Sequence, residues 1–117
     1  MNINEKMIAL GKEIMVPVAQ DIYEEDAEQF ITFVYEDEKA ALRGDNKTIA
    51  ETAFISISLC TPQEFNYFEK KEAVKIYLEK QGFLIKSIQS WLTNEKKGTH
   101  RIRQTVFSVT YTEERKR

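Results

Sequence analysis

Two stretches constrain the fold more than any others: AFISISLC at 53–60 and QTVFSVTY at 104–111. In the first, Ile55, Ile57 and Leu59 alternate with Ser56, Ser58 and Cys60; in the second, Phe107, Val109 and Tyr111 alternate with Val106, Ser108 and Thr110. A period of two sends large apolar side chains to one side of a strand and small polar ones to the other. The chain therefore needs a sheet with one buried face and one more polar face. Strands are expected at about 49–60 and 101–112, with further apolar runs giving strands at about 30–36 and 83–92. In the last of these, Phe83, Ile85 and Trp91 are expected on one side.

Helical signals bracket these strands. Ile3, Met7, Leu10 and Ile14 recur at helical spacing, with Asn2 placed to cap and Glu5 to complete a capping box, so a helix is expected over 3–14, ended by Pro17. PVAQDIYEEDAEQ reads as an extended acidic connection. A second helix is expected over 62–81, with Thr61 as cap, Pro62 at the first turn, Glu64 closing the box and Gly82 as a left-handed stop. Its apolar face would be Phe65, Phe68, Val74, Ile76 and Leu78, and truncating a buried Phe68 would cost roughly 3–5 kcal/mol. The order α-β-β-α-β-β implies an α+β domain: a four-stranded, mainly antiparallel sheet with helices packed on one face.

One such domain fits the 117 residues, with 1–15 as an N-terminal helix and 113–117 as a charged tail. Met1 to Met15 is broken by Glu5, Lys6, Lys12 and Glu13, which argues against a signal peptide or membrane span and for a cytoplasmic protein. A lone Cys60 excludes an internal disulfide framework. Cys60 reads as a structural thiol and His100 as a surface-loop histidine, since neither has a catalytic partner at motif spacing. Glu36, Asp37 and Glu38 are consecutive and point apart, unlike a calcium loop, and no glycine motif cradles a phosphate. No enzyme, metal or cofactor is expected. A sequence pI near 5.5 and short basic runs give no footing for nucleic-acid recognition.

The stretch between the first two strands is polar and rich in turn formers. EDEKAALRGDNK offers few apolar contacts, so residues 37–48 are expected to form a mobile excursion. Arg43-Gly44-Asp45 and Asn46-Lys47-Thr48 spell an integrin-type tripeptide and a glycosylation acceptor, but GDN is first of all turn chemistry. Charge is unevenly distributed along the chain. Residues 1–60 hold twelve acids against five bases (−7), and residues 61–117 hold seven against twelve (+5). Interleaving on folding would cancel this; alternatively, acidic surface on one copy meets basic surface on the next, as in head-to-tail rings.

FITFVYEDEKAALRGDNKTIAETAFISISLCTP, then FNYFEKKEAVKIYLEKQGF, a strand bearing Trp91, and QTVFSVTY together resemble the small tail terminator or tail completion proteins of long-tailed bacteriophages and prophages of Gram-positive bacteria. The resemblance covers residues 16 to 112 and implies an α+β fold. It further implies a homo-oligomeric ring, usually a hexamer, that caps the tail tube protein, stops its polymerisation and presents a docking surface to the head completion or connector protein. Such a protein would reside in the virion tail after assembly in the host cytoplasm. The ring contact expected from the charges sets Glu36, Asp37, Glu38, Arg43, Asp45 and Lys47 against Lys96, Lys97, Arg101 and Arg103. A neck or head–tail joining protein and a small non-catalytic binding module are the alternatives.

Overall fold

The structure, a computed structural model, describes residues 2–44, 47–97 and 100–114. Its elements are α1 (Ile3–Ile14), β1 (Val18–Gln20), β2 (Phe30–Gly44), β3 (Lys47–Pro62), α2 (Phe68–Lys80), β4 (Leu84–Lys97) and β5 (His100–Glu114). They form an α+β domain whose single sheet has the order β1-β2-β3-β5-β4. The sheet has five strands and is mixed, because β1 pairs in parallel with β2 while the other neighbours are antiparallel. The expected four-stranded sheet missed β1: three residues are too few for a periodic signal. The partner makes this strand, with Ile31 N–H donating to Pro17 O and Asp21 N–H to Phe33 O.

α1 forms as its spacing predicts. Asn2 Oδ1 accepts from Glu5 N–H at 2.8 Å, the reciprocal bond completes the capping box, and Met15 ends the helix in a left-handed conformation. Ile3, Met7, Leu10 and Ile14 enter one core with Ile31, Phe33, Ile55, Ile57, Leu59, Phe107 and Val109. Gly11 is required by a close approach: a Cβ there would lie 2.8 Å from both Val16 O and Val18 Cγ2.

α2 begins later than expected. Thr61 and Pro62 stay in the ladder opposite Arg103 and Ile102, and Gln63 N–H donates to Arg101 O, so pairing with β5 outcompetes the capping signal. Pro62 is tolerated there because it sits at the strand's end. A turn follows, Asn66 Oδ1 accepts from Phe68 N–H, and the helix ends before Gly82 at φ 90°. The buried face is Val74, Tyr77 and Leu78, a narrow stripe at helical spacing. Phe68 (59% exposed) and Ile76 (50%) point away from the sheet, so the large cost expected for Phe68→Ala is withdrawn.

Residues 37–44 do not leave the sheet. They continue β2 paired with 47–54, from Asp37 opposite Phe54 to Gly44 opposite Lys47, with register shifts between Ala40 and Leu42 and between Leu42 and Arg43, so the expected excursion is a hairpin stem. Asp45 and Asn46 lie outside the described residues. The residues TNEKK likewise extend β4 instead of forming a loop. One-residue bulges at Glu36 and Lys86 shift the register of β2 and β4. The second of these turns Trp91 to the face opposite Ile85, correcting the shared side expected for them: Ile85 pairs with buried Val109, whereas Trp91 pairs with Gln104.

The helices cover the face of Ile55, Ile57 and Leu59. The other face presents four ladder rows: Phe30-Cys60-Gln104-Trp91, Thr32-Ser58-Val106-Gln89, Val34-Ser56-Ser108-Ser87 and Asp37-Phe54-Thr110-Leu84.

Candidate functional site

The sequence-predicted contact residues fall at two ends of the sheet. Lys96 pairs with Arg101, and Lys97 with His100, at the end of the β4–β5 hairpin beside Pro62. Glu36 and Asp37 sit at the β2 bulge toward the other end, where Asp37, Phe54, Thr110 and Leu84 share a row. Nine ladder steps from Arg101 to Thr110 separate the two groups by about 30 Å, in a molecule whose long axis is 57 Å. That distance is several Debye lengths at physiological salt, about 8 Å, so the groups do not neutralise each other within a subunit. Glu38, Arg43 and Lys47 continue the acidic-end hairpin as backbone. The side chains of Glu38, Arg43, Lys47 and Lys97, and all of Asp45, lie outside the described part.

The basic end is fastened to the turn before α2. His100 Nδ1 lies 3.0 Å from Glu64 Oε2, Thr93 Oγ1 donates to Ile102 O at 2.9 Å, and the Arg103 guanidinium lies 4.9 Å over the Tyr67 ring. Glu64's own backbone hydrogen bond and the His100 contact hold its carboxyl below the ordinary range. Lys96 and Arg101 are exposed, while Arg103 is turned toward α2 and half-buried. Glu28 shares a small crevice with His100 and Arg101. No local signal marked the His100–Glu64 pair, because 36 residues separate its members. It is an exposed pair that ties the β4–β5 hairpin to the turn before α2. Cys60 is buried on the polar sheet face. Among the described residues, no three His, Cys, Asp or Glu side chains converge as a metal site.

A second feature was concealed by the expectation that Phe65 and Ile76 cover the sheet. They instead line a cleft of about 460 Å³ with Met15, Ala73 and the end of α1, where Lys70 Nζ donates to Ile14 O. No family model and no curated protein matches this chain.

Proposed function

We propose that this protein is a ring-forming structural component of a phage tail, a tail terminator whose ring caps the tube, stops its polymerisation and receives the head. The observation that carries the reading is the separation of charge along the sheet: Glu36 and Asp37 near one end, Lys96 and Arg101 near the other. A closed ring needs two different, complementary surfaces per subunit, displaced from each other. Two oppositely charged ends about 30 Å apart along the sheet supply them.

In this reading Glu36, Asp37 and Glu38 of one copy meet Lys96, Lys97 and Arg101 of the next, with Arg103 holding the basic end on Tyr67. The test is reversal of Glu36, Asp37 and Glu38 to lysine in an infecting phage or inducible prophage. The variant is expected to fold, fail to form rings, and give tails of uncontrolled length by electron microscopy. Tails of normal length carrying the triple variant would refute the charge-paired ring.

A further inference from the structure

The four central rows of the sheet face turned away from the helices lack the charge that a solvent face of this chain would carry; the row Lys39-Thr52-Thr112 and the acidic connection whose Tyr23 stacks on Phe30 border the patch. The protein is 31% charged, which would place about five charges among the sixteen positions of its four ladder rows. One is present, Asp37, in a corner. The centre is small and polar, with Ser56, Ser58 and Ser108, and Ser58 Oγ accepts from Gln104 Nε2 at 3.2 Å, so part of its polarity is already satisfied within the face. Around it stand exposed apolar side chains: Trp91 at 42%, Leu84 at 58% and Val34 at 37%.

We propose that this face binds the same face of a second copy, giving a two-fold symmetric sheet-on-sheet dimer. The inference goes beyond the ring reading and does not rest on it. Like faces of an uncharged surface meet without burying an unpaired charge, which is the main penalty in such contacts. A charged partner would leave its own charges unmatched here. The size also suits a second copy. Four strands about 4.8 Å apart and six steps of about 3.3 Å give a footprint of roughly 400 Å². With side-chain relief on both copies, association removes on the order of 1,000 Å² or somewhat more from water, the lower range for specific interfaces. Sheets of this kind pack about 10 Å apart, with Trp91 and Leu84 filling the gap that the serines leave.

The experiment is light scattering on the full chain from low micromolar to near-millimolar concentration, with fluorescence recorded on the same samples. Trp91 is the sole tryptophan, so its emission reports on this face alone. A monomer–dimer equilibrium is expected, with blue-shifted emission and reduced quenching as the mass doubles. Gln89→Lys and Val34→Lys, each at an exposed position, would set like charges against each other across the two-fold axis. Each should weaken association on the order of 100-fold while leaving the denaturation midpoint of the monomer unchanged. Reversing Lys96 and Arg101 to glutamate, both outside the four rows, should leave this dimer intact while it breaks the proposed ring contact, which separates the fate of the two. A chain monomeric throughout, or association indifferent to Gln89→Lys, overturns the proposal.

Discussion

Lys6 is the residue whose removal most directly tests how the helix layer is held. It lies on α1, is 9% exposed, and donates from Nζ to Gln81 O at 3.1 Å and to Gln81 Oε1 at 3.2 Å. Its ammonium also lies 5.2 Å from the centre of the Tyr111 ring. A cation on the last carbonyls of α2 is favourable through the helix dipole as well as through the bonds themselves. Lys6→Met keeps most of the stem that packs on the core but removes the charge and strands two half-buried oxygens. Each stranded oxygen costs about 1–3 kcal/mol, and recovering the desolvation of a buried ammonium offsets part of that. The net loss should be about 2 kcal/mol, or about 6–10 °C in Tm for a domain of this size. Urea denaturation followed by circular dichroism reads it as a lower midpoint at unchanged slope. A loss below about 0.5 kcal/mol would refute the reasoning, because it would place Nζ in water with Gln81 satisfied by solvent.

Phe107→Ala, at a fully buried position, should cost about 3–5 kcal/mol, whereas Phe68→Ala, 59% exposed, should stay within about 1 kcal/mol; equal losses in urea would contradict the assigned faces. Gly82→Ala forces a side chain into φ 90° and should cost about 1 kcal/mol, while Gly11→Ala should cost more because its Cβ meets backbone at 2.8 Å; thermal melts that reverse this order would count against the close approach. Tyr77 donates to Lys6 O at 2.6 Å, and burial first, then Glu13, raises its pKa above the ordinary 10.0. The sign follows from the neutral form being favoured in the fold. The contribution is complete below the unfolded pKa and is lost as pH rises through the folded one, so stability should fall on alkaline titration, and Tyr77→Phe should flatten that fall.

What the sequence made legible follows the physics of each signal. The period-two runs of β3 and β5 and the capped repeat of α1 appear where spacing predicts, because each is decided by its own residues. The start of α2 was not legible, since Thr61 and Pro62 satisfy a capping pattern but obey a partner strand more than 40 residues away in sequence. β1 likewise exists only through its pairing with Ile31, Thr32 and Phe33. The charge groups could be counted from the sequence, yet their placement at opposite ends required the register.

The bulges show why the face of Trp91 could not be read in advance. With perfect alternation, Phe83, Ile85 and Trp91 would share a side. The extra residue Lys86 brings Ile88 opposite Phe107, within the core layer, and Trp91 opposite Gln104. The same device acts at Glu36, after which the even-numbered Glu38 lies opposite buried Ala53, where odd-numbered Tyr35 had faced Ile55. A single inserted residue exchanges every side chain beyond it between core and solvent. Bulges also twist and interrupt an edge, and β2 and β4 are the two strands with long unpaired edges. Their positions, together with charged residues at each bulge, disfavour open-ended edge-to-edge pairing between copies. The two associations proposed above use the ends and the uncharged face instead, and contacts there would close rather than propagate.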